Sequence, residues 1–383
     1  MTSLPTQEQI QAALAGVNDP EIRRPITELG MVKSAEVRAD GTALATVLLT
    51  VAGCPMRDTL TRDVTNALSA LPGVNDVQVT LDVMSDEQRQ ELQGRLRGSS
   101  QAKENPFARP DSLTRIYAVA SGKGGVGKSS LTVNLAVSMA AQGLKVGLLD
   151  ADVYGHSVPS MLGIADQRPT RVEDMIMPVP AYDVKVMSIG MLKPGRQHVV
   201  AWRGPMLDRA LGQMLADVFW GDLDVLLLDL PPGTGDMAIS VGQQLTNADV
   251  VVVTTPQEAA AEVAERAGTI ASMLHQKVVG VVENMSWLPC PHCGPSHRID
   301  VFGTGGGSRV AATLSERLGY DVPLLGEVPL DPRLRTGGDA GVPVILDQPD
   351  AAASEVLHGL AKQLADRRPS LVGRSLGLTP TSP

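Results

Sequence analysis

Between residues 122 and 129 the chain reads Gly122-Lys123-Gly124-Gly125-Val126-Gly127-Lys128-Ser129. This is the spacing G-x-x-x-x-G-K-S, and the chemistry it suits is the grip of a polyphosphate. Glycines let backbone N–H groups converge on phosphate oxygens where side chains would collide. A helix opening at Lys128 adds the positive end of its dipole. Lys128 is expected to reach the β- and γ-phosphates of ATP and Ser129 to hold Mg²⁺, with the whole run Gly122 to Ser130 lining the nucleotide.

Two acidic segments belong to the same chemistry. The apolar run Val146–Leu149 ends in Asp150-Ala151-Asp152, and Val225–Leu228 ends in Asp229-Leu230-Pro231-Pro232-Gly233-Thr234-Gly235-Asp236. Ligands of open parallel sheets bind beyond the carboxyl ends of the strands. Carboxylates at those ends can hold Mg²⁺ and position an attacking water. Asp229 is assigned as the metal-holding carboxylate, Asp150 as its support and Asp152 as the group that positions water. One Asp after a strand is often only a helix cap; two such strand ends beside a phosphate loop favour the catalytic reading.

A different chemistry is suggested by Cys290-Pro291-His292-Cys293. Two thiolates at this spacing can bind one metal centre, but they supply only two of the four ligands usual for zinc or a four-iron cluster. Three completions fit: zinc bound with His292 or His297, a redox pair, or a symmetric dimer in which two facing loops give four cysteines. Cys54, the third and last cysteine, falls where a strand gives way to a helix N-terminus. The dipole there favours thiolate, so a reactive or metal-handling role stands beside the plain reading of a small residue at a turn.

These residues need a scaffold. Ile116–Ala120, Val146–Leu149, Val225–Leu228, Val250–Val253 and Val278–Val282 are short Val- and Leu-rich runs separated by helical stretches. That pattern predicts buried parallel strands in βαβ units, with helices on both faces of the sheet. Hydrophobic residues make up 43% of the 383 and aromatics only 3%, so the core must be aliphatic. Ahead of it, residues 1–95 read as a small α/β domain. It has a strand over Thr42–Thr50, a helix from Pro55 to about Ala70 and a strand over Val74–Val83. Residues 96–112, with Gly98, Ser99, Ser100, Pro106 and Pro110, read as a linker. The ATP-binding domain is expected over 113–365 and a flexible tail over 366–383.

Lys123, early in the glycine loop, resembles the signature lysine of the deviant Walker A class. That class includes the nitrogenase iron protein, ParA, MinD and the Mrp/ApbC carriers. The resemblance implies an ATP-dependent homodimer in which Lys123 reaches the partner's nucleotide. Together with Asp229-Leu-Pro-Pro-Gly-Thr-Gly-Asp236 and Asn284-Met-Ser-Trp287 leading into the cysteine pair, the match narrows to the Mrp/ApbC family over residues 113 to 365. His156 departs from it, standing where that family often has proline. Asn18-Asp19-Pro20-Glu21, Glu28-Leu29-Gly30 and Thr50-Val-Ala-Gly-Cys54-Pro55 resemble the small iron–sulfur assembly domain often fused to such carriers. The resemblance implies a P-loop NTPase fold and adenine recognition by Asn284. It also implies an iron–sulfur cluster, of the 4Fe-4S type, shared between two subunits at Cys290 and Cys293. Transfer to apo iron–sulfur proteins, exchange with an assembly scaffold, and slow hydrolysis coupled to that transfer complete the expectation.

The other reading is a MinD- or ParA-like regulatory ATPase with structural zinc at the cysteine pair. It shares the phosphate loop, but membership of the MinD or ParA class does not by itself explain the cysteine pair. Net charge is −9, which speaks against a general nucleic-acid partner. No apolar run approaches the ~20 residues of a membrane span, and the N-terminus lacks the pattern of a signal peptide. A cytoplasmic protein without a membrane partner is expected.

Overall fold

The computed structural model describes residues 4–50, 56–97, 105–109, 111–173, 175–192, 204–290 and 292–367. Cys54, residues 98–104 of the expected linker and residues 368–383 of the expected tail lie outside them. The chain forms two compact units.

The first unit comprises residues 1–103, 167–180 and 217–221. Its helix α1 (Gln7–Ala15) starts at a capping box in which Thr6 accepts from Gln9 N and the Gln9 side chain returns to Thr6 N. A three-stranded sheet follows, with β2 (Thr42–Leu49) between β1 (Val32–Val37) and β3 (Asp76–Val83). Buried and half-buried residues alternate along the first part of β2, as in a sheet packed on one face only. α2 (Arg57–Ser69) turns Leu60, Val64 and Leu68 into the core, a spacing of four that keeps them on one face. α3 (Asp86–Arg97) extends two residues into the stretch expected as linker and buries Leu92.

The second unit begins at Glu104. Phe107, also expected as linker, is buried there, with its carbonyl accepting from Asn247 Nδ2 at 3.0 Å. β4 (Arg115–Ser121), α4 (Lys128–Ala141) and β5 (Val146–Asp150) follow, then the single turn α5 (Val158–Met161). The short strands β6 (Arg171–Val172) and β7 (Met175–Ile176) fall in the first unit, where Val172, Met175 and Met177 complete its core. Next come β8 (Val179–Ala181), β9 (Val184–Ser188), α6 (Gly204–Ala216), β10 (Val225–Asp229), α7 (Asp236–Gln244) and β11 (Asp249–Thr254). The chain continues through α8 (Glu258–Met273), β12 (Val278–Asn284), β13 (Leu288–Cys290), β14 (Gly294–Ile299) and α9 (Gly306–Leu318). It closes with β15 (Leu324–Val328), α10 (Pro332–Ala340), α11 (Val344–Asp347) and α12 (Ala352–Ala365).

Eight strands form one sheet in the order β15-β12-β11-β4-β10-β5-β9-β8, and every pairing from β15 to β9 is parallel. All residues of β5, β10 and β12 are buried, so helices cover both faces as the continuous apolar runs predicted. α4 packs against α12, and α8 against α9. The parallel arrangement brings the carboxyl ends of β4, β5, β10, β11 and β12 to one edge, where every expected nucleotide-binding residue of the chain is found. Among the described residues, no helix is long and apolar enough to cross a membrane.

Candidate functional site

The glycine loop joins β4 to α4. Gly125 and Gly127 take φ of +81° and +79°, a region that costs a side chain about 1 kcal/mol or more. Gly122 is required for another reason: a Cβ there would lie 2.3 Å from the backbone of Val263 in α8. α4 starts at Lys128, and its orphan N–H groups face the loop.

Lys128 is buried, and its Nζ donates to Asp229 Oδ1 at 2.6 Å. Ser129 Oγ donates to Asp229 Oδ2 at 2.5 Å, and the Thr132 hydroxyl lies 2.9 Å from Oδ1. Asp229 is thus a fully buried carboxylate surrounded by the first turns of α4. Register sets Asp150 beside it on the neighbouring strand. Burial pushes the Asp150 carboxyl well above the ordinary carboxylate range, and the charge of Asp229 adds to the effect. Hydrogen bonds from Ser188 Oγ at 3.1 Å and Asp152 N at 3.1 Å oppose it.

Asp152 lies just beyond β5, its Oδ1 accepting from Gly155 N at 2.8 Å and from Tyr154 N at 3.3 Å. With Lys123, Lys128, Ser129 and Pro232, Asp152 lines a cavity of about 250 Å³. Lys123 has a different setting from Lys128. It is only partly buried, and its Nζ donates to Gln257 Oε1 at 3.1 Å.

A second cavity, of about 930 Å³, continues past Gly125, Gly127 and Ser130 to Asn284, Met285, Leu288 and the segment Pro329–Leu334. Asn284 is buried; its Nδ2 donates to Val126 O at 2.8 Å, while its Oδ1 has no partner. A buried amide oxygen without a donor is costly, and a ligand bearing an amine would relieve it. Thr132, within α4, and Gln257, the residue before α8, are ordinary residue types that no motif singles out in the sequence. The sequence reading also missed Pro329–Leu334, which the carboxyl end of β15 could have signalled.

Cys290 and Cys293 flank the turn of an antiparallel ribbon, β13–β14, rather than an open loop. Cys293 N donates to Cys290 Sγ at 3.3 Å. This bond, and then one from His292 N, holds the Cys290 thiol below its ordinary range. Cys290 is buried, whereas Cys293 and His292 are exposed. Among the described residues no group of three His, Cys, Asp or Glu side chains converges on a metal position. The pair therefore offers two ligands from this chain. Arg298 stacks on Trp287 at 4.3 Å from the ring centroid and lies 3.9 Å from Glu327.

Residues 112–365 match the family described as NUBPL iron-transfer P-loop NTPase, and residues 7–81 the one described as iron–sulfur cluster assembly protein. The iron–sulfur cluster carrier protein of Mycobacterium tuberculosis is 59% identical over 372 residues, covering 97% of this chain and 96% of that protein. The iron–sulfur cluster carrier protein of Deinococcus radiodurans is 44% identical over 354 residues, covering 92% and 93%. Among solved structures, the nucleotide-binding protein in complex with ADP from Archaeoglobus fulgidus matches with a TM-score of 0.54 and 36% identity. That match covers 67% of this chain and 97% of that one.

Proposed function

The chain belongs to the iron-transfer P-loop NTPase family, and from that premise we propose that it is an ATP-hydrolysing carrier of iron–sulfur clusters. The glycine loop and Lys128 bind the phosphates, and Asn284 Oδ1 accepts from the adenine amine. Ser129 and Asp229, whose oxygens already meet at 2.5 Å, would hold Mg²⁺ with Asp150 behind them. When bound, the ion neutralises phosphate charge. Asp152 orients the water that attacks the γ-phosphate. Lys123, at the rim of the phosphate cavity, reaches the nucleotide of a second copy in a homodimer.

The observation that carries this reading is the cysteine ribbon. Two thiols at one turn, in the same unit as the phosphate loop, make half of a four-thiolate site, and a two-fold axis supplies the other half. The cargo is read as a 4Fe-4S cluster held between two subunits in the cytoplasm. It is received from an assembly scaffold and passed to apo iron–sulfur proteins, with slow ATP hydrolysis coupled to the transfer. Cys54, in the segment matched to the assembly domain, is a second thiol for handling the cluster or its iron.

Anaerobic reconstitution with iron and sulfide tests the proposal. About one labile cluster per dimer, absent from Cys290→Ala and Cys293→Ala, is the expected result. Uptake of zinc without a cluster would overturn it in favour of a regulatory ATPase with a structural metal.

A further inference from the structure

The base cavity and the thiols are joined by one short piece of chain. Asn284 and Met285 line the cavity, Leu288 lines it again, and Cys290 lies two residues further on at the end of the same strand. This segment is fastened along one side. Ser286 N donates to Val328 O at 3.0 Å, and Leu330 N to Trp287 O at 2.7 Å. Leu330 itself lines the cavity. Met285 has φ of +56°, a conformation a non-glycine residue holds only where its surroundings impose it. Arg298, opposite Pro289 on β14, stacks on Trp287 and approaches Glu327 of β15. Leu288 thus lines the base cavity and also opens the cysteine ribbon, where it pairs with Ile299 of β14.

We infer that Leu288 is a positioning residue through which an occupied base cavity orders the Cys290–Cys293 turn, with the Arg298–Trp287 stack as the brace that transmits the effect. The inference rests on the proposed carrier function and gives its coupling a route and a sign. A base packed against Met285 and Leu288 restricts the root of β13. The thiols then meet their cargo already ordered, so less conformational freedom is lost on binding. Linkage makes the effect mutual: the cluster must tighten nucleotide binding by the same factor by which nucleotide tightens cluster binding.

The test measures the dissociation constant of a fluorescent ADP analogue for the full chain, with and without reconstituted cluster. In parallel it measures the alkylation rate of Cys290 and Cys293 in a Cys54→Ala background, with and without ADP. We expect the cluster to tighten ADP about fivefold or more, the lower end of ordinary coupling, and ADP to slow alkylation. Arg298→Gln should still bind both ligands while the ratio of ADP affinities falls toward one; Leu288→Ala, which also removes a wall of the base cavity, should weaken ADP itself and lower the same ratio. A ratio of one or below in the wild type, with both ligands bound, would overturn the inference and leave the carrier reading intact. So would an unchanged ratio in both variants. Failure to take up any cluster would instead overturn the carrier reading, and alkylation that ignores ADP would then overturn the inference separately.

Discussion

Asp229 accepts from Lys128, Ser129 and Thr132 in a fully buried setting, and Lys128 is the cation paired with it. Lys128→Met leaves that carboxylate buried among hydroxyls, and a loss of about 3 kcal/mol in urea unfolding is expected with the loss of ATP hydrolysis. Asp152→Asn should separate binding from chemistry. It keeps the turn to Gly155 N, so nucleotide affinity should change by less than about threefold while phosphate release slows on the order of 10²-fold. Gly127→Ala is expected to lose nucleotide binding, because its Cβ would fall 2.2 Å from Asn284 Nδ2 at a positive φ. Isothermal titration with ADP would show it. The glycines, Lys128 and the acids were legible because phosphate chemistry restricts residue type and spacing together. Thr132 and Gln257 were not, since a hydroxyl on a helix or an amide just before one is common, and only folding brings them to Asp229 and Lys123.

At the scale of elements, β4 and α12 are tied by Tyr117, whose hydroxyl donates to Leu364 O at 2.8 Å. Burial pushes its phenol up to about 12, with the neighbouring charge of Asp249 adding to the rise. The folded state thus keeps a proton that the unfolded chain releases near pH 10, and stability should fall as pH climbs from 10 toward 12. Tyr117→Phe should cost about 1 kcal/mol at pH 7 and flatten that fall, as denaturant melts across the range would show. The five central strands could be read from their short apolar runs, mostly Val, Leu and Ala, since burial on both faces leaves no room for charged residues to interrupt them. α3 escaped notice because Asp86–Arg97 is almost wholly polar, with Leu92 its buried anchor. β13 and β14 escaped because Pro289 and Gly294 punctuate them like a loop, although the ribbon tolerates both at its edge.

For the whole molecule, strand patterns and a Gly-, Ser- and Pro-bearing stretch suggest a small unit ahead of a larger one, but the path of the chain between the two compact units is not legible in them. Residues 167–180 and 217–221 belong to the first unit, and their short apolar runs resemble any strand of the larger sheet. Only tertiary packing decides that Val172, Met175 and Met177 join the core of Leu14, Ile26 and Val47. Deletion of residues 1–103 should therefore leave these side chains uncovered. The remaining fragment is expected to bind a hydrophobic dye and aggregate on heating well below the full chain, which light scattering would follow. The same threading bears on synthesis. Domains generally fold in the order they leave the ribosome, at roughly 5–20 residues per second. Here the leading unit must wait on the order of ten seconds, until residue 221 emerges, before its last pieces exist. During that interval its core lacks Val172, Met175 and Met177, and the apolar surface they will cover stays open to chaperones while the larger unit is still being made.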